Sequence, residues 1–161
     1  MPRVDDKMPV ADNVQIVLRA PASPLRRLLG LPGRIKSKQT SHNLIVTKGA
    51  EGIADQLLAS PTISKPSHMA VGKKTSPTAP AAGDTTLQEE ADRNALTEKT
   101  RSGKVVTLKC KWEAGDATAT LTEAGIFDAS SSGNMYSRVT YGAVVKEAAD
   151  TLEIIWTYTV G

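Results

Sequence analysis

Strict alternation of apolar and polar side chains in two separated stretches most narrows what this chain can become. Over residues 152–160, Leu152, Ile154, Trp156, Tyr158 and Val160 fall on one side, and Glu153, Ile155, Thr157 and Thr159 on the other. Over residues 105–112, Val106, Leu108, Cys110 and Trp112 oppose Val105, Thr107, Lys109 and Lys111. A period of two is the signature of a strand with one buried face, since a helix would scatter these side chains around its axis. These two strands are expected to form the centre of the core.

The rest of the C-terminal third continues the pattern in shorter pieces. Alternation at 118–121 breaks at Glu123-Ala124-Gly125, resumes at Ile126-Phe127-Asp128, turns over 129–134 and runs extended again through 135–141. With brief β-prone runs at 14–18, 44–46 and 68–72, this makes six or seven strands separated by Gly, Ser and Asp turns. Residues 47–58 carry the one clear helical signal. Ala50, Ile53, Ala54, Leu57 and Leu58 form an amphipathic stripe, Thr47 stands where an N-cap would, and Pro61 ends the segment. Gly49 and Gly52 weaken that helix, which therefore needs packing against a sheet. Without repeating βαβ units the sheet is expected to be antiparallel. The fold class is mainly β: an antiparallel, jelly-roll-like β-sandwich over residues 43–161 with one short helix.

Residues 1–42 differ in composition. Pro2, Pro9, Pro21, Pro24 and Pro32 interrupt any long helix, and Pro24 to Leu29 allows a single helical turn with proline near its start. Residues 13–50 contain no Asp or Glu, whereas Arg19, Arg26, Arg27, Arg34, Lys36, Lys38 and Lys48 are basic. The zone is expected to be an extended, anchoring arm that gains order on a partner surface. Val14, Ile16, Leu18, Leu28 and Leu29 would supply its apolar docking contacts, and Arg26, Arg27 and Arg34 its charge. Interleaved aromatics and a recognition-helix pattern are lacking, so an acidic protein surface is the expected partner, not a specific nucleic-acid site.

Composition removes several function classes. The chain has 161 residues, a formal net charge of +3 and one cysteine, Cys110, which cannot build an intrachain disulfide framework or a cysteine zinc site. No run approaches the ~18 apolar residues of a membrane span, and MPRVDDKMPV lacks the apolar segment of a signal peptide. Synthesis in a cytoplasm is expected. Searching for chemistry leaves little. Glu89, Glu90 and Asp92 sit beside Arg93 as a solvated, salt-bridged group; His42 and His68 have no ligand spacing around them. Cys110 alternates with Leu108 and Trp112 as a core residue, and Ser130, Ser131 and Ser132 belong to a turn. No catalytic, metal or cofactor-binding residue is assigned. Glu123 is the exception among polar residues, because a carboxylate inside strand-like sequence needs a partner if buried. Arg138 in the neighbouring extended run is the expected one, forming a structural ion pair that sets register.

At these residues the chain resembles a module of bacteriophage tail-fibre and related virion structural proteins. The resemblance rests on three motifs in order over about residues 40–161. The first is Asn43 to Gly49 followed by Ile53 to Leu58. The second is Ser67-His68-Met69-Ala70-Val71-Gly72, then Ser76 to Pro80, Asp84-Thr85-Thr86-Leu87, Glu89 or Glu90, and Arg93. The third is Leu121 to Asp128, a Ser-Gly turn, Met135-Tyr136-Ser137-Arg138, and Asp150-Thr151-Leu152-Glu153-Ile154 leading to Trp156-Thr157. It implies a non-enzymatic β-rich component of the virion that works as a homo-oligomer, with a trimer preferred, among other tail or capsid proteins. A tail, tail-tip or fibre-attachment role is the first expectation and a head decoration protein the second. A carbohydrate-binding module is the third, and would need exposed aromatic side chains.

Overall fold

A computed structural model describes residues 13–159. Val160 of the last alternating run, and the first twelve residues of the expected arm, lie outside the described residues. The strands are β1 (Asn13–Arg19), β2 (Ile35–Ser41), β3 (Leu44–Ile45), β4 (His68–Gly72), β5 (Glu90–Ala95), β6 (Glu98–Ser102), β7 (Val105–Trp112), β8 (Ala119–Phe127), β9 (Met135–Lys146) and β10 (Thr151–Thr159). The helices are α1 (Pro24–Leu28) and α2 (Thr47–Asp55). Among the described residues the strands form two five-stranded sheets, ordered β2-β1-β10-β7-β6 and β3-β9-β8-β4-β5. Every strand pairing is antiparallel, and the protein is an antiparallel β-sandwich.

The alternating stretches behave as their period requires. In β10, Leu152, Ile154 and Trp156 are fully buried, and they pair across to Trp112, Cys110 and Leu108 of β7. On the facing sheet Met69, Val71, Leu121, Ile126 and Val139 complete one continuous core. A smaller cluster, Val46, Ala70, Leu87, Phe127 and Met135, lies on the opposite side of the second sheet. It is covered by the start of α2 and by the connection between β4 and β5, which we call the strap (residues 73–89).

The arm expected over residues 1–42 is corrected for its described part. β1 runs between β2 and β10, with Val14 opposite Trp156, Ile16 opposite Ile154 and Leu18 opposite Leu152. Val14, Ile16 and Leu18 are each no more than 3% exposed. They fill the sandwich's own core and cannot supply docking contacts. The physical reason is that four apolar residues out of five, Val14, Ile16, Val17 and Leu18, bury far more surface by joining a sheet than as an extended arm, and β10 offers an open edge of matching length. The boundary expected at residue 43 therefore cuts through the sandwich. α1 is the helical turn expected over Pro24 to Leu29; Ser23 caps it by accepting the Arg26 N–H at 3.4 Å, and Pro24 opens it.

Candidate interaction surface

The polar interior comes first, because it accounts for residues that could otherwise suggest chemistry. Glu123, fully buried in β8, accepts hydrogen bonds from Arg138 Nε at 3.0 Å and Nη2 at 2.8 Å. It also accepts the backbone N–H groups of Glu89 at 3.0 Å and Gln88 at 3.3 Å. Arg138, 1% exposed in β9, reaches Asp84 on the strap with Nη1 at 2.8 Å. Asp84 Oδ2 in turn accepts the N–H of Ala81 at 2.9 Å. Hydrogen bonds are thus satisfied on both sides of the pair, as a buried pair needs if it is to offset its desolvation. The structure brings Glu123 and Arg138 together; sequence reasoning missed Asp84, which carries no signal within a Pro/Ala/Thr/Gly loop. Gly72 belongs to the same arrangement: a Cβ there would sit 2.5 Å from Glu123 Cγ.

Other candidate groups are likewise occupied structurally. Glu90 holds Arg93 through a bidentate pair at 2.9 and 2.6 Å, and the Arg93 guanidinium stacks 3.7 Å above the Phe127 ring. Burial pushes the Cys110 thiol up to about 12, so it stays protonated at neutral pH. Asp128 accepts from the backbone N–H and side-chain amide of Asn134 at 2.7 and 2.8 Å, closing the β8–β9 turn. Among the described residues, no group of three or more His, Cys, Asp or Glu side chains converges on a metal-sized site. Also among them, no helix is long and apolar enough to cross a membrane.

What remains is surface, and it is unevenly apolar. The connection from β1 to β2 exposes Leu25 (65%), Leu28 (83%), Leu29 (62%) and Leu31 (46%), and Ile35 at the start of β2 is 51% exposed. Arg26 and Arg27 lie on α1 and Arg34 closes the connection. Arg26 Nε donates to Pro32 O at 2.7 Å and Arg19 Nη1 to Gly33 O at 3.3 Å, giving the excursion a defined shape. Gly33 is required at its base, since any Cβ there would collide with the Ala20 carbonyl. Of the predicted docking residues, then, Arg26, Arg27, Leu28, Leu29 and Arg34 share one protruding surface, while Val14, Ile16 and Leu18 are interior.

A second apolar surface lies on α2, where the expected packing is reversed. The helix turns Gly49 and Gly52 toward β9, not its stripe. A Cβ on Gly49 would overlap the Tyr136 carbonyl, and one on Gly52 would stand 2.5 Å from the Tyr136 hydroxyl. Tyr136 itself donates to Ser64 O at 2.7 Å, fixing the ring beneath the helix. The glycines are the packing face because only they admit the backbone that closely. Thr47 is the first helical residue and Val46 the cap, without a side-chain capping bond, which differs from the Thr47 expectation. The displaced stripe faces out, leaving Ile53 49%, Leu57 87% and Leu58 60% exposed.

No family model matches the chain, and no curated protein or solved structure matches it.

Proposed function

We propose that this protein is a non-enzymatic structural component of a bacteriophage virion, held to the particle through the β1–β2 connection. One observation carries the reading: a formed loop presents four leucines, Leu25, Leu28, Leu29 and Leu31, beside Arg26, Arg27 and Arg34, in a stretch without acidic residues. Such an apolar, basic patch loses water and meets opposite charge only against another protein, which suits attachment within an assembly. The three-motif resemblance supports a virion module, and a tail, tail-tip or fibre-attachment position is the preferred one. Glu123 and Cys110, the groups best suited to chemistry by type, are committed to the ion pair and the core. Trp112 and Trp156 are fully buried, so a carbohydrate platform would lack its principal residues.

The test is quantitative mass spectrometry of purified virions against the major capsid protein. A few rings' worth of copies supports the tail position, and a count near that of the capsid protein assigns head decoration instead. Absence from the particle refutes the structural role. Within that assay Leu28→Ser and Arg27→Glu should lower incorporation at least tenfold while leaving the fold intact, because both side chains are exposed on the protruding connection.

A further inference from the structure

We infer that the β1–β2 connection seats in a cavity of a second copy of this chain, so that copies join knob into socket as a closed ring. The inference rests on the reading of that connection as a protein-docking surface, and names its partner. The socket lies at the mouth of the sandwich, a cavity of about 460 Å³ between β5 and the connection that joins β7 to β8. Ala91, Ala117 and Ala119 form its apolar wall, half-buried and packed against the core. Asp92 and Asp116 supply its charge. The Asp92 carboxylate enters no hydrogen bond or ion pair among the described residues. Asp116 commits only Oδ2, which accepts the Glu113 N–H at 3.1 Å. The nearby cations have partners of their own. Lys73 on the rim lies 4.0 Å from Glu89, and Lys146, opposite Ala119 in the ladder and 1% exposed, donates to Glu113 O at 2.9 Å.

The connection has the complementary shape and charge. α1 projects Arg27 and Leu28 side by side, both exposed, and residues 13–50 contain no Asp or Glu to answer the arginines. Two connections set against each other would bring guanidinium groups together, whereas connection and socket join opposite charges over apolar contact. Placement supplies closure. Arg19 pairs with Thr151, and Leu152 beside it with Trp112, so the connection after Arg19 and the one after Trp112 leave the same end of the sandwich. They stand on opposite flanks of it. On one flank β2 meets β9, where Gln39 Nε2 donates to Gly142 O at 3.1 Å. On the other β5 meets β7, where Asn94 Nδ2 donates to Lys111 O at 3.2 Å. A head-to-tail contact between two such surfaces relates neighbours by rotation without a rise along the strands. That is the condition for a ring instead of a filament.

Sedimentation of the full chain from about 1 to about 100 µM tests this, since association follows mass action. The mass should climb from 17.1 kDa to a plateau at one fixed multiple above the dimer. Arg27→Glu and Asp116→Lys should each raise the concentration needed for association by at least about tenfold. Both side chains are exposed, so melting temperatures should stay near that of wild type. A chain carrying both changes should associate again, because each contact then holds the same two charges exchanged. Should Asp116→Lys unfold the chain, Asp92→Asn tests the socket in its place and should weaken association about threefold. Leu57→Glu on α2 should leave association intact. A wild-type chain that is monomeric throughout overturns the inference, as does association that survives Arg27→Glu or dissolves on Leu57→Glu. Failure of the double variant to associate refutes the pairing of Arg27 with the socket, and mass that grows without a plateau refutes the ring. The virion role fails separately. A monomeric chain that enters particles, and loses entry on Arg27→Glu, keeps that role and assigns the connection to a different virion protein. A ring-forming chain absent from particles keeps the present inference and refutes the role.

Discussion

Replacing Glu123 by Gln isolates the energetic role of the buried network. The change is nearly isosteric, so packing around β8 is retained while the negative charge is lost. Arg138, 1% exposed, would keep Asp84 at 2.8 Å but lose its charged partner in β8. The new amide must also direct two N–H groups at a site that now receives donors from Arg138, Gln88 and Glu89. Breaking one side of a buried pair costs about 3–5 kcal/mol, and the surviving Asp84 contact places this case near 3 kcal/mol. For a domain of this size that corresponds to a fall in melting temperature of about 9 °C. Urea unfolding should show a lower midpoint with an unchanged slope. A cycle with Arg138→Met should show strong coupling, the double variant losing clearly less than the sum of the singles. A Glu123→Gln chain within about 1 kcal/mol of wild type would refute the argument, because ordinary surface substitutions already lie within about 0.5 kcal/mol.

Four other consequences can be checked directly. A chain starting at Asn43 lacks β1 and β2, strips the edge of β10 and removes Val14, Ile16 and Leu18 from the core; it should not fold, as seen by loss of near-ultraviolet circular dichroism. Ile16→Ala in the full chain should cost about 2–5 kcal/mol by denaturant titration. Gly49→Ala should destabilise by about 1–3 kcal/mol, despite alanine's better helix propensity, because the Tyr136 carbonyl occupies the space. Lys146 is 1% exposed and donates to Glu113 O at 2.9 Å, and burial lowers its pKa. The native state then releases that proton at lower pH than the unfolded chain, so stability gains a component that rises with pH in the window ending near 10.5. Denaturant curves for wild type and Lys146→Met should therefore diverge in wild type's favour as pH approaches that value; a pH-independent difference would contradict it.

Much of the candidate site was legible in part. A lone carboxylate inside strand-like sequence requires a partner, and Arg138 was the near cation in an adjacent extended run. The exposed Leu28 and Leu29 beside Arg26, Arg27 and Arg34 could be read because a proline-punctuated, acid-free stretch has little of its own to pack against. β2, β6 and most of β5 escaped notice. Their sequences, IKSKQTS, EKTRS and EADRNA, are dominated by charged and small polar side chains, as suits the sheet edges they occupy, and so lack an apolar alternation.

Local pattern by itself determined that β7 and β10 are strands and which face of each is buried, because side-chain period is a property of the backbone and is written residue by residue. Tertiary structure alone decided the rest. That β1 joins β10, pairing Val14 with Trp156 far along the chain, depends on a free edge that no nearby residue encodes. That α2 packs through glycine and presents its apolar stripe outward depends on Tyr136, whose carbonyl and ring fill the volume beneath the helix. Hydrophobic pattern shows what a helix could bury; the space left by its neighbours sets which face it does bury.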